Sequence, residues 1–342
     1  MIEGINDMKK CKKCLISDSF PNITIDESGI CNLCKSENFG GDKEEKEKFK
    51  KDFEEYINKI KGKSKYDCIL LYSGGKDSTY LLYVLKEIYK LNVLTVTINT
   101  GNEPAKMQEN INKCLSKLSV DHIMVSPERD FYKKLFSYYL TSNNNKTNCN
   151  MICRICQRLM QSIALNIAVE KNIPFVAIGY SPDQAKRYEF SKEIMTSNWM
   201  PDDLNHYPFT DKDRSLFWNP EKLNQKDIPR FLIPFYAIDY PGVEKIIDIL
   251  AGIGIGNKRN LNPLKSNCNL SWLLMYLDMK KYGYNPYLES AHRQIRQGTA
   301  VSKKWKILLH FGNWLLKHRL IKRKEMDKAL RFVDISIEQC LN

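Results

Sequence analysis

Four short apolar runs punctuate the middle of the chain, at Cys68 to Tyr72, Val93 to Ile98, Asp121 to Val125 and Phe175 to Gly179. The first has no polar alternation, the pattern of a strand buried on both faces. Between the runs lie helix-like segments at Thr79 to Tyr89, Lys106 to Leu118 and Cys156 to Glu170. Strands alternating with helices predict an α/β fold: a parallel, doubly wound sheet with right-handed crossovers. Upstream, Asp42 to Lys63 is rich in Lys and Glu but places Phe49, Phe53, Tyr56, Ile57 and Ile60 at helical spacing, which predicts an amphipathic helix. Downstream, helical patterns run over Leu270 to Tyr282, Leu288 to Arg296, Ser302 to His318 and Arg323 to Ile337. The stretch between sheet and helices carries Trp199, Pro201, Trp218, Pro220, Pro229, Pro234 and Pro241 with only short patterns, suited to shaping a substrate pocket. The expected organisation is an N-terminal ribbon (1–41), a linker helix (42–65), an α/β core (66–185), a pocket elaboration (186–260) and a C-terminal helical region (261–342).

The junction of the first strand with its helix holds the most specific chemistry. Ser73-Gly74-Gly75-Lys76-Asp77-Ser78 follows the apolar run directly. Two glycines let the backbone turn sharply and bring N–H groups against a ligand, and the helix that follows points its positive end at the same place. A phosphate is expected there. The loop fits neither the G-x-x-x-x-G-K-[ST] pattern nor G-x-G-x-x-G, which argues against GTPase-like and NAD-binding readings. Ligands of parallel sheets sit outside the carboxyl ends of the strands. Asn99, Thr100 and Gly101 after the second run, and Gly179, Tyr180 and Ser181 after the fourth, are therefore ligand-contact candidates, or else ordinary strand-end turns.

Eleven cysteines change the picture further. Cys11-Lys-Lys-Cys14 and Cys31-Asn-Leu-Cys34 form two C-x-x-C pairs, the arrangement of a four-thiolate zinc site with a structural role. Cys149, Cys153 and Cys156 follow a polar segment, Thr141 to Asn148, where a helix N-terminus with Arg154 and Arg158 nearby would lower a thiol pKa. Cys268 sits far downstream at another loop-to-helix boundary. The absence of a secretory pattern at Met1 to Lys10 and of any apolar run near membrane-spanning length predicts a soluble, cytoplasmic protein with no membrane partner. The net charge of +13 suits a nucleic acid or an anionic substrate without choosing between them. His292, Arg293 and Arg296 are candidates for an anion site or for a solvated helix face. Trp305 and Trp314, among many lysines and arginines, read as packed inward rather than facing RNA.

The loop matches the SGGKDS pyrophosphate loop in all six residues, and the chain resembles the PP-loop ATP pyrophosphatases, a HUP-like fold. That resemblance implies ATP cleaved between the α and β phosphates, with Ser73 to Ser78 as binding residues and Asn99, Thr100 and Gly179 nearby. It also implies Lys76 on the β and γ phosphates, and Asp77 or Ser78 positioning Mg²⁺. Two subfamilies are similar to this chain. The loop, the four-cysteine ribbon and Lys281-Tyr-Gly-Tyr-Asn-Pro with His292-Arg-Gln-Ile-Arg296-Gln-Gly298 resemble the N-acetyl sugar amidotransferases of surface-polysaccharide biosynthesis, which use ammonia from a glutaminase subunit. The Cys153-x-x-Cys156 pair with Cys268 resembles the tRNA-thiolation type of PP-loop sulfurtransferase. There such cysteines pass sulfur or hold an iron–sulfur cluster such as [4Fe-4S], with Cys149 a substitute for any of the three. The favoured expectation is a sulfurtransferase acting through Cys153, Cys156 and Cys268, with the amidotransferase as the alternative. The acceptor is a small molecule or a tRNA, a sulfur-donor protein or glutaminase is the expected partner, and a homodimer is the expected assembly.

Overall fold

The computed structural model describes residues 9–36, 43–141, 149–187, 209–224, 228–255, 268–296, 298 and 311–341. In chain order the elements are α1 (Asn32–Ser36), α2 (Lys43–Ile60), β1 (Cys68–Leu71), α3 (Lys76–Tyr83), β2 (Val93–Ile98), α4 (Ala105–Leu118), β3 (Asp121–Val125), α5 (Arg129–Thr141), α6 (Cys149–Glu170), β4 (Phe175–Ile178) and α7 (Pro182–Arg187). There follow α8 (Asp211–Ser215), β5 (Arg230–Leu232), α9 (Val243–Gly252), α10 (Leu270–Lys281), α11 (Glu289–Arg296), α12 (residues 311–317), α13 (Arg323–Val333) and α14 (Ile337–Leu341). Much of the expected pocket elaboration, including Trp199 and Pro201, and the stretch holding Trp305, lie outside the described residues.

The chain divides into two compact units, one of Met1–Gly41, Leu135–Ile152 and Asn269–Asn342, the other of Asp42–Lys134 and Cys153–Cys268. The larger unit holds the sheet. Its strand order is β3-β2-β1-β4-β5 and every pairing is parallel. Cys68 to Leu71 and Val93 to Ile98 are buried at every position, as a strand covered on both faces must be. Thr95 and Thr97 are tolerated in that interior because their hydroxyls donate to the carbonyls of Asp121 and Tyr72. Asp67, buried just before β1, accepts from the amides of Gly62 (2.6 Å) and Asn92 (2.7 Å) and so brackets the entry to the central strand.

Phe53 and Ile57 on the apolar stripe of α2 are buried in the same core as Leu70, Leu81, Leu85, Phe175 and Leu250, so the linker helix packs as part of the unit that holds the sheet. The helix after β1 starts three residues earlier than its apolar period suggests and changes to a π-type turn at Val84–Ile88. α6 differs more. It was expected to begin at Cys156 and instead runs unbroken from Cys149, so Cys153 and Cys156 lie one and two turns inside it.

The smaller unit joins the N-terminal ribbon to the C-terminal helices. Phe20 packs against Tyr284 (4.8 Å between ring centroids) and edge-on against His292 (5.5 Å). α10 packs on α13 and α14. Trp314, expected to point inward, is about half exposed. No described helix is long and apolar enough to cross a membrane.

Candidate active site

The loop between β1 and α3 has the geometry of an anion cradle. Gly74 takes φ +65°, a conformation costly for any residue with a Cβ, and a Cβ there would stand 2.7 Å from Ile111 Cγ1. Gly75 is the N-cap of α3 and supplies no side chain to it, so the first-turn N–H groups are not capped from that position. Ser73 and Ser78 close the loop across its base: their hydroxyls are 3.2 Å apart, Ser78 Oγ donates to Gly75 O at 3.1 Å, and the Gly75 amide reaches Ser73 Oγ at 3.4 Å.

Lys76 and Asp77 open the helix together. Lys76 Nζ lies 2.6 Å from Asp77 Oδ2, with both side chains largely covered. The other carboxylate oxygen, Oδ1, accepts from the Tyr240 hydroxyl at 2.8 Å. Tyr240 went unnoticed in the sequence because Asp239-Tyr-Pro-Gly242 reads as a turn, with no periodicity or motif to mark the ring as part of the site. Its ring is held edge-on by Phe235 at 5.2 Å.

Gly179 ends β4 directly behind the loop. A Cβ at this position would meet Ser78 Cα at 2.9 Å and Ser78 N at 3.1 Å, so the backbone of α3 approaches β4 only because the side chain is absent. Asn99 and Thr100 also lie at the carboxyl edge, and their side chains brace the β2 turn. Asn99 donates to Ser126 Oγ (3.0 Å) and accepts from the Gly101 amide (2.9 Å), while Glu103 Oε1 accepts from both the amide and hydroxyl of Thr100. Tyr180 hydrogen-bonds Gln157, and Ser181 forms a reciprocal cap with Gln184. The hydrogen bonds at these strand ends are those of strand-end turns at the sheet's carboxyl edge.

Cys153, Cys156 and Cys268 are each half-buried. Asn102, itself buried, reaches Cys268 Sγ at 3.8 Å. Cys156 titrates well above the ordinary thiol range, chiefly through burial, with the charges of Cys268, Cys153 and Glu103 adding to the effect. The expected lowering by a helix N-terminus does not occur, because the helix begins at Cys149 and leaves Cys156 two turns from its positive end. The side chain of Cys149 is outside the described residues.

The four N-terminal cysteines do converge. Cys11 and Cys34 are 3.7 Å apart, Cys14 and Cys31 3.6 Å apart, and all four sulfurs lie within 4.8 Å of one another. Two knuckle amides point at the sulfurs, Cys31 N to Cys11 Sγ (3.3 Å) and Cys34 N to Cys31 Sγ (3.4 Å). An all-sulfur, closed donor set of this kind fits a structural Zn²⁺. Among the described residues no other set of three or more His, Cys, Asp or Glu ligand atoms gathers as closely. His292, Arg293 and Arg296, offered above as an anion site or a solvated face, are not a solvated face. All three are buried, with His292 Nδ1 3.0 Å from Cys14 O and Arg296 Nη1 3.4 Å from Cys14 Sγ.

Residues 67–200 match the model of the argininosuccinate synthase N-terminal HUP domain. Over 135 residues the chain is 31% identical to an uncharacterized protein of Methanocaldococcus jannaschii, covering 39% of this chain and 46% of that one. Over 134 residues it is 28% identical to the argininosuccinate synthase of Picrophilus torridus, covering 38% of this chain and 33% of that one. The matched region thus spans less than half the length of these curated relatives. Among solved structures, the U34-tRNA thiolase NcsA of Methanococcus maripaludis with its [4Fe-4S] cluster aligns at 16% identity and a TM-score of 0.38, over 96% of this chain and 88% of that one. The NMN synthetase of Francisella tularensis aligns at 11% identity and a TM-score of 0.41, over 84% of this chain and 97% of that one. The parallel sheet, the glycine loop that opens α3 and the match to the argininosuccinate synthase N-terminal HUP domain model coincide on one segment, residues 67–200.

Proposed function

We propose that the protein is an ATP-dependent amidotransferase that adenylates the amide oxygen of an N-acetyl sugar and replaces it with nitrogen. The observation that carries this reading is in the smaller unit. The ribbon and the His292 to Arg296 segment, the two parts whose order resembles N-acetyl sugar amidotransferases, are packed together as one body through Phe20, Cys14, His292 and Arg296.

In the first step the substrate's amide oxygen attacks the α phosphate of ATP, and pyrophosphate leaves. The loop amides and Lys76 hold that pyrophosphate, with Lys76 exchanging Asp77 for phosphate. The fixed donors stabilise charge that develops on the leaving group. Asp77, kept in orientation by Tyr240, is then the carboxylate available to Mg²⁺, a hard ion that prefers oxygen ligands. In the second step ammonia attacks the activated carbon and AMP leaves with the former amide oxygen, giving an amidine. A glutaminase partner would supply the ammonia.

A second reading, sulfur transfer to a small molecule or tRNA, is favoured by one observation: Cys153, Cys156 and Cys268 share an environment with Glu103 next to the sheet's carboxyl edge. Three thiols fit an iron–sulfur cluster, which spreads its ligands more widely than a single ion does. One experiment separates the two. Protein isolated without oxygen is supplied with ATP, Mg²⁺, ammonium and a panel of nucleotide-linked N-acetyl sugars, and pyrophosphate, AMP and product mass are measured. An amidine product with no iron or acid-labile sulfide in the protein supports nitrogen transfer. Stoichiometric iron and sulfide, with no ammonium-dependent AMP release, overturns it in favour of sulfur.

A further inference from the structure

The four thiolates of the ribbon differ in where their hydrogen-bond donors come from. Cys11 and Cys31 receive theirs locally, from the amides of Cys31 and Cys34. Cys14 receives one from Arg296, 282 positions further along the chain, through a guanidinium that is 4% exposed. One turn earlier on α11, His292 binds the carbonyl of the same cysteine at 3.0 Å and packs its ring edge against Phe20 of the ribbon. The helix thus grips one ligand residue twice, at its sulfur and at its backbone.

A metal held by four thiolates carries a net negative charge, and burying it is costly unless donors and a counter-charge accompany it. We infer that Arg296 is the outer donor that completes the N-terminal thiolate centre, and that metal binding and the docking of α11 onto the ribbon are thermodynamically coupled. His292 is the positioning residue that sets the helix in register for that contact. The motif His292-Arg-Gln-Ile-Arg296 therefore serves the metal centre rather than the substrate. This inference is independent of which group the protein transfers.

The test uses the full chain loaded with Zn²⁺. Replacement of an outer-sphere partner typically weakens metal affinity about 10–100-fold, so Arg296→Met should show that loss when titrated against a chelator of known affinity, while Arg296→Lys, which keeps the charge, should recover part of it. In the unmutated protein, hydrogen exchange over residues 289–296 should accelerate when the metal is stripped and return to its slow rate when Zn²⁺ is restored. Retention of Zn²⁺ by Arg296→Met with wild-type affinity would overturn the donor role. Exchange over 289–296 that is indifferent to the metal would overturn the coupling, and that measurement needs no variant to fold.

Discussion

Gly179 offers the sharpest test of how the nucleotide site is built. Its φ is ordinary, so replacement by alanine introduces no backbone strain, and the whole effect is steric. The new Cβ would lie 2.9 Å from Ser78 Cα, 3.1 Å from Ser78 N and 3.3 Å from Asp77 C, where ordinary contact begins at 3.4 Å. These are backbone atoms at the start of α3, and no side-chain rotation relieves the clash. The loop must therefore withdraw from β4 by about 0.5 Å. The loop amides then lose about one charge-assisted hydrogen bond to the phosphates, which predicts about a 10-fold loss of affinity, or about 1.4 kcal/mol. The assay is calorimetric titration with a non-hydrolysable ATP analogue, which requires no knowledge of the acceptor. Overpacking should also cost about 1–3 kcal/mol of stability in denaturant unfolding. Gly62→Ala is the control: φ is +73° with nothing within 4 Å, so it should lose stability and keep nucleotide affinity. If Gly179→Ala binds the analogue like wild type and unfolds at the same denaturant concentration, the close approach of β4 to the loop is not what shapes the site.

Tyr240→Phe keeps the ring against Phe235 and removes one donor from Asp77; the Mg²⁺ concentration that half-saturates analogue binding should rise about 10-fold, the scale of one hydrogen bond to a charged group, and an unchanged Mg²⁺ dependence would remove Tyr240 from the site. The triple variant Cys153→Ala, Cys156→Ala, Cys268→Ala should keep ammonium-dependent AMP release, and loss of that turnover in a folded variant would restore the sulfur reading. His122, half-buried beside Thr95, has its pKa lowered chiefly by burial. The unfolded chain therefore takes up a proton before the folded one does, and stability should fall as pH drops below about 6.5, the unfolded histidine range. His122→Asn should flatten that slope in thermal melts taken from pH 7 to 5.

Short-range signals are legible in the residues. β2 and β3 have the bounds their apolar runs predict, and the six-residue loop fell between strand and helix as its glycines require. Hydrophobic period located α6 but not its start: Cys149-Asn-Met-Ile-Cys153 directly follows the polar segment Thr141 to Asn148 and reads as a loop-to-helix junction, yet its backbone is already helical. That one difference moved Cys153 and Cys156 away from the helix end and reversed the expected direction for the Cys156 thiol. Long-range pairings left no local trace. Nothing around Arg296 announces Cys14, and a cluster of His and Arg reads as an anion site until its partner is known. Tyr240 was hidden for the same reason, because its role is set by Asp77, 163 positions earlier.

The pairing of Cys14 with His292 also has a consequence in time. The ribbon is made before its clamp, which is 278 residues further along the chain. At roughly 5–20 residues per second, about 14 to 56 s separate the two on the ribosome. During that interval the thiolates must either hold their metal without Arg296 or wait for it. The nucleotide unit, whose strands lie between the two ends of the chain, can complete its sheet in the meantime. Final maturation of the metal centre is thereby tied to emergence of α11, so that a chain interrupted before Arg296 would be born with an ATP loop and an unfinished ribbon.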